Sequence, residues 1–320
     1  MAREEIKAVS VDEARRFWEQ QEDARIFLHP DVLGPLCDRI DWWQASWNGN
    51  PVCLWPICHA FDGSLRPPAL SSYVGPLWHD IVGSNKAHRW WTITRTVQQA
   101  FLELFAGTYA DIQFELPPGS ADVRVFQWFR EEHAETRTLE IACRHTAIIR
   151  ASGVDFAGGV IAGLSRGRRK DLVRAGKNSP LAWADPGDEA LYLLYEGLLD
   201  GKSKIEAARC RRAELVALLA VARSGFGTVL AYQDQDGNAV GFSLSLRSRK
   251  TASFVVLAVA DSVRASGVSA WLNMEGIMVN SRQGAVVFDF LGANSRIGAD
   301  EKHRLGGWPE MYFRISMAAR

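Results

Sequence analysis

The residues best placed to do chemistry in this 320-residue chain lie near its C-terminal end. Residues 286–290 read as an apolar strand, Gly292-Ala293-Asn294 as a turn, and a polar stretch then leads to Lys302 and to Leu305-Gly306-Gly307. Residues 311–316 read as a final strand. A loop bracketed by strands is where binding and catalytic groups concentrate. A lysine held there can bind phosphates or stand beside a developing oxyanion, so Lys302 is the leading catalytic candidate, with a solvated loop lysine as the plain alternative. Asp289 alternates with Phe288 and Phe290 and is expected to point off the core face. It would orient an acceptor amine or a substrate hydroxyl, or else bond the turn backbone at Gly292 and Ala293. Glu275 sits among Trp271, Leu272, Met274, Ile277 and Met278. It is either a buried carboxylate suited to general-base work or a helix-surface residue.

Two further segments have the chemistry to meet an anion. Residues 165–177 carry Arg166, Arg168, Arg169, Lys170, Arg174 and Lys177 against one acid. A helix start flanked by guanidinium groups suits phosphate; a solvated basic face is the alternative. Lys202, Lys204, Arg209, Arg211, Arg212, Arg247, Arg249 and Lys250 could widen it into a footprint for RNA, whose affinity comes mainly from phosphate contacts. The second segment is Arg264-Ala265-Ser266-Gly267-Val268-Ser269, between an expected strand at 253–260 and an expected helix at 270–283. In that context Arg264, Gly267 and Ser269 could hold a pyrophosphate at the helix N-terminus, or form an ordinary strand-to-helix turn.

Composition bounds these readings. Apolar residues make up 47% and charged residues 23% of the chain, as in a globular protein with a substantial core, and the length favours two domains. No apolar run reaches the ~18 residues of a transmembrane helix. The N-terminal stretch is acidic and lacks a secretory h-region, so a cytoplasmic location is expected. Five scattered cysteines with no CxxC read as reduced thiols, and no metal site is expected. Net charge is zero, yet residues 1–150 hold 15 Lys+Arg against 20 Asp+Glu and residues 151–320 hold 22 against 17. The second half is the one suited to an anionic ligand.

The elements that must position these groups follow a repeated order. Ser10 with Glu13 forms a capping box opening a helix over 10–23, and a second helix is expected at 31–40. A hairpin at 42–60 turns at Asn48-Gly49-Asn50. A long helix spans 86–106, and strands follow at 111–116 and 144–150. The second half runs through helices at 165–177, 187–200 and 204–224, a hairpin at 228–246 turning at 234–238, a strand, a helix and a strand. This gives two mixed α/β units, 1–150 and 151–320. Trp42, Trp43, Trp47 and Trp55 alternate along the first hairpin. Most are expected in the core, with a sugar-stacking shelf as a further use.

Three local matches make the chain similar to the Fem-type branch of the GNAT acyltransferase superfamily. They are Tyr73-Val74-Gly75-Pro76 after a Pro-rich loop, the basic segment 164–177, and Phe288-Asp289-Phe290-Leu291-Gly292 followed by Lys302 and Leu305-Gly306-Gly307. The resemblance spans about residues 40–315. Glu301 departs from it, standing where the family often has an aromatic, and no heptad-patterned insertion is present.

The resemblance implies tandem GNAT-like units in three layers, with mixed sheets and no coiled-coil arm. The first unit would take the acceptor and the second the donor. It implies an N-acyltransferase that moves an aminoacyl or acyl group onto an amine of a peptide, sugar or metabolite, with no permanently bound cofactor. The donor would be an aminoacyl-tRNA, to which Lys302 would be tied, or alternatively an acyl-CoA. Tyr73 and Gly75 would lie along the acceptor groove, and Arg168, Arg169 and Arg174 would bind substrate phosphates. A non-catalytic ligand-binding protein of the same fold is the reading from another class.

Overall fold

Ser10 starts the first helix as its neighbours dictate. Its hydroxyl accepts the Glu13 N–H at 3.3 Å, and the Glu13 carboxylate takes the Ser10 N–H at 2.9 Å. The structure, a computed structural model, describes residues 4–83, 86–120, 122–150, 156–178, 187–201 and 212–320. They divide into two units, Met1–Arg144 with Met311–Arg320, and His145–Glu310. The division falls after Arg144, within the strand Arg137–Arg150 and six residues before the expected switch, and the last ten residues belong with the first unit.

In the first unit, β1 (Glu4–Ala8), β2 (Arg39–Trp47), β3 (Asn50–His59) and β4 (Leu77–Trp78) form one antiparallel sheet in that order. The β2–β3 turn is Asn48-Gly49, both at positive φ, as a two-residue hairpin requires. Between β1 and β2 lie α1 (Val11–Glu19) and α2 (Pro30–Leu33). The helix expected at 31–40 is only this single turn flanked by 3-10 turns, because Gly34-Pro35 interrupts it and β2 starts at Arg39. After β4 come α3 (Asp80–Gly83), α4 (Ala87–Thr108), β5 (Asp111–Leu116), α5 (Arg124–Glu132) and β6 (Arg137–Arg150), which carries the chain into the second unit. The core centres on Trp55, whose ring meets Phe101, Phe105 and Phe114 at 5.1, 5.3 and 4.9 Å. The hairpin tryptophans Trp42 and Trp55 are therefore core residues.

The second unit continues with α6 (Phe156–Gly163), α7 (Arg166–Asn178), α8 (Gly187–Gly201), α9 (Arg212–Val221), β7 (Gly227–Gln233), β8 (Ala239–Arg247), β9 (Thr251–Val259), α10 (Val268–Arg282), β10 (Val287–Asp289) and α11 (Arg296–Arg304). Residues 204–211 of the expected helix at 204–224 lie outside the described residues. Strand order is β6-β10-β9-β8-β7. β9 and β10 are parallel, joined by α10 as a βαβ crossover, and β10 is antiparallel to β6. α10 is apolar on several faces because it packs against α7 as well as β7, β8 and β9. β11 (Trp308–Ala319) returns the chain to the first unit, where it pairs with β5.

One polar network joins β2 and β3 to the end of α4. The Asp41 carboxylate accepts from His59 Nε2 at 2.8 Å and from the Tyr109 hydroxyl at 2.9 Å, and that hydroxyl accepts from Trp43 Nε1 at 3.0 Å. Burial alone would raise the Asp41 carboxyl, but the bonds from His59 and Tyr109 hold it below its ordinary range. Tyr109 is pushed up to about 12, chiefly by burial. Its neutral form is thus favoured by folding, and that stability is present below the ordinary tyrosine value and lost as pH rises through the folded one. We expect unfolding free energy to decline between about pH 10 and 12 through this group, and the decline to be smaller in Tyr109→Phe when denaturant titrations are repeated across that range.

Candidate active site

β10 ends at Asp289, and the chain beyond it is fixed from three sides within the second unit. Phe290 N–H bonds Ala147 O at 3.0 Å, Ala293 N–H bonds His145 O at 2.6 Å, and the Asn294 side-chain oxygen accepts the His145 N–H at 2.7 Å. Between these anchors Leu291 and Gly292 both take positive φ, 49° and 29°. A non-glycine residue in that region is strained unless its surroundings hold it. Asp289 supplies one hold. It is fully buried, and its Oδ1 accepts the Leu291 N–H at 2.9 Å and the Thr146 hydroxyl at 2.5 Å. The expectation that Asp289 points off the core face is therefore corrected. Its bonding matches the turn-carboxylate alternative, shifted one residue from the expected backbone groups.

Lys302 supplies the second hold. It lies in α11, not in an open loop; Ser295 caps that helix by accepting the Gly298 N–H at 3.1 Å. One helical turn faces the loop, and the ammonium donates to Leu291 O and, at 2.7 Å, to Gly292 O. Charge-assisted bonds of this kind are the strong ones. The glycine pair after the lysine is explained by the same packing. Gly306 has φ 90°, and a Cβ on Gly307 would stand 2.9 Å from Ala147 Cβ and 3.0 Å from Lys302 O. Gly307 N–H in turn bonds Lys302 O at 3.1 Å, and His303 Nδ1 donates to Gly307 O at 2.8 Å. Asp289, Lys302 and Gly306-Gly307 therefore form one interlocked turn on β6.

Glu301, the residue that departs from the Fem-type pattern, also has a place. Its carboxylate pairs with Arg168, whose other nitrogen reaches Asp171 at 3.0 Å. Arg168 thus ties α11 to α7 and is engaged by two carboxylates, so it is corrected from a phosphate ligand to an internal strut. Arg174 donates to Ala265 O at 2.7 Å and bridges α7 to the turn before α10. Arg166, Arg169 and Lys170 are exposed and have no ion pair among the described residues.

The 264–269 turn is likewise held from within. Arg264 pairs with Asp261 at 2.5 Å. Gly267 has φ 88°, and a Cβ there would stand 2.3 Å from Asp171 O, so the glycine admits the backbone of α7. Ser269 is half-buried in the first turn of α10, and its carbonyl accepts from Asn273 at 2.9 Å. Glu275 is half-buried, with no hydrogen bond or ion pair among the described residues. Of the wider basic set, Lys202, Lys204, Arg209 and Arg211 lie outside the described residues, Arg212 pairs with Glu189, and Arg247 bonds Gln283.

One strand edge completes the second unit's arrangement. β9 pairs with β10 only over Thr251–Ser253, after which β10 ends while β9 runs on to Val259. The parallel strands part at Asp289, beside the Lys302-held turn.

In the first unit, Tyr73 is buried (1% exposed) at φ 62°, its N–H bonded to the Glu115 carboxylate at 2.8 Å and its ring edge-on to Tyr312 at 5.0 Å. The same carboxylate pairs with Arg314 at 2.8 Å. A Cβ on Gly75 would stand 2.1 Å from Glu115 O. Tyr73 and Gly75 thus seal their segment against β5 rather than line an open surface. Sequence reasoning missed Glu115, Thr146 and Asn294. Glu115 reads as one of the outward polar positions of the alternating strand DIQFEL, and nothing in the pattern marks it as buried.

No family model matches the chain, and no curated protein matches it in sequence. Solved structures do match its fold over nearly the whole length. FemX superposes with a TM-score of 0.65 at 9% identity, covering 97% of this chain and 96% of FemX. A tandem GNAT protein from the clavulanic acid biosynthesis pathway gives 0.52 at 14%, covering 99% and 98%. L-PGS from Bacillus licheniformis gives 0.56 at 12%, covering 95% and 90%. The fold is that of a tandem GNAT protein of Fem-like architecture.

Two outcomes test this geometry. Lys302→Met removes both carbonyl bonds and should lower stability by about 1.5–3 kcal/mol in denaturant titrations. Gly75→Ala forces a backbone clash and should cost ~3 kcal/mol, measured the same way.

Proposed function

We propose that the chain is a cytoplasmic N-acyltransferase that passes an aminoacyl group from aminoacyl-tRNA to an amine acceptor by direct attack. The observation that carries this reading is the outward face of α7. Arg166, Arg169 and Lys170 stay exposed without acidic partners among the described residues, while their neighbours Arg168 and Arg174 are used internally. A helix face of free cations suits an extended phosphate backbone. The pyrophosphate signature favours a CoA donor less, since the space that Gly267 frees is taken by Asp171 O and Arg264 is paired. Acyl-CoA remains the second reading because the first turn of α10 follows β9 and Gly267 offers no side-chain cap.

In this reading the parting of β9 and β10 receives the acyl end of the donor. Amine attack on the acyl ester forms the C–N bond through an oxyanion; collapse breaks the ester C–O bond, and the departing tRNA ribose oxygen leaves as a hydroxyl, taking up a proton to balance the one the amine gives up. Lys302 brings positive charge to that strand end and fixes the turn next to it, and Asp289 fixes the same turn from beneath. Glu275 is the carboxylate left to take a proton. The acceptor is an amine of a peptide, sugar or small metabolite held by the first unit.

Binding to bulk tRNA should fall steeply with salt. Arg166→Ala, Arg169→Ala and Lys170→Ala together should flatten the log–log slope by about 0.9 for each phosphate these side chains neutralise. Saturable thermal stabilisation by CoA, with no tRNA binding, would transfer the reading to the second donor.

A further inference from the structure

One acid stands among the six cations of residues 165–177, and it is Asp171. Along α7 and the turn before it, Leu164, Arg168, Asp171, Leu172 and Ala175 recur at helical spacing. Leu164 and Ala175 are buried and the other three half-buried, while Arg166, Arg169 and Lys170 are exposed. Two positions of the inward stripe are thus charged where apolar residues are the rule. The Arg168 side chain is only 11% exposed. An ion pair so little exposed is weak grounds for stability, because packed apolar side chains serve as well, and its best attested use is to fix register.

Asp171 holds Arg168 from within the helix. Its Oδ2 lies 3.0 Å from one terminal nitrogen of Arg168, and the other pairs with Glu301 on α11. Asp171 also faces Arg174 at 4.0 Å, and its main-chain oxygen lies against Gly267. The link to α11 is the important one, because no residue of that helix is buried. Its apolar contacts are those of half-buried Ala299 and of Leu305 at its C-cap. A helix with no apolar face keeps its place through polar anchors. Besides the Arg168–Glu301 pair, the Ser165 N–H donates to Arg304 O at 3.0 Å. Lys302 is carried by this helix.

We infer that Asp171 is a positioning residue: with Glu301 it turns Arg168 inward, so that Arg168 sets α11 and Lys302 and is withheld from the phosphates of the donor. Two carboxylates engage the guanidinium as a phosphate would. One basic segment thereby serves two ends, its outward cations meeting the donor and its inward arginine placing the lysine. The inference rests on the transfer reading for the use made of Lys302, and deepens it by dividing the cations of α7 between binding and placement.

Two measurements test it. Asp171→Asn with Glu301→Gln releases Arg168, so binding to bulk tRNA should tighten and its log–log salt slope steepen by about 0.9, one added phosphate contact. Arg168→Gln added to that variant should restore the original slope. A pair that served stability alone would leave the slope unmoved, and that result would overturn the inference. Hydrogen exchange is the second measurement and needs no tRNA. The Leu291 amide should exchange roughly tenfold faster in the double variant, while amides of β8 keep their rates. Glu301→Gln alone alters a more exposed side chain; it should quicken exchange at Leu291 yet keep the slope, since Asp171 still holds Arg168. Unchanged exchange at Leu291 in both variants would overturn the positioning role. Absence of tRNA binding by the unaltered chain would overturn the transfer reading instead, and the exchange rates would then decide the positioning role by themselves.

Discussion

The second unit depends on a conflict at the end of β10. Two consecutive residues there occupy positive φ, one of them a leucine. That conformation persists only where its polar groups are claimed from outside the turn. Asp289 claims the Leu291 amide from within the sheet, and Lys302 claims two carbonyls from α11. One claims an amide and the other the carbonyls of the same short segment, so each reinforces the orientation that the other selects. The glycines at 306 and 307 let α11 end against β6. A short set of residues, spaced over about twenty positions, thus behaves as a single structural device.

This arrangement changes how a basic side chain should be read. Arg168, Arg174 and Arg264 carry the same formal charge as Arg169, but the fold engages them with Glu301, Asp171, Ala265 and Asp261. On α7 itself, Arg166, Arg169 and Lys170 stay exposed with no ion pair among the described residues. Glu301 illustrates the converse. Its departure from the Fem-type pattern is matched by a partner on another helix, and it locks α11, and with it Lys302, to α7.

Much of the fold was legible in the sequence because its signals are local. The Ser10–Glu13 box, the Asn48-Gly49 turn, the long apolar periodicity of α4 and the 111–116 strand each depend on residues close in the chain. What failed was long-range. A polar stretch from 295 to 304 reads as loop, since its helix is stabilised by contacts to Ser165, Arg168 and the 291–292 carbonyls rather than by an apolar face of its own. The 31–40 stretch reads as helix because its apolar residues suit one, yet Gly34-Pro35 breaks it. For the site, the residue types at 289, 302 and 306–307 were visible; their burial and mutual bonding were not. Gly75 and Gly267 looked like ligand-facing glycines, and a backbone carbonyl fills the space at each.

The return of β11 to the first unit has a consequence for how the protein comes into being. Gln113 on β5 bonds Ser316 on β11 across 203 residues of chain. A nascent chain therefore emerges with β5 lacking its partner while the whole second unit is made. Sheet pairings so distant in sequence form late and slowly, since a long loop must close before any bond rewards it. Until then β5, with its apolar Ile112 and Phe114, presents an open edge of the kind that invites mispairing. The first unit, made first, is completed last.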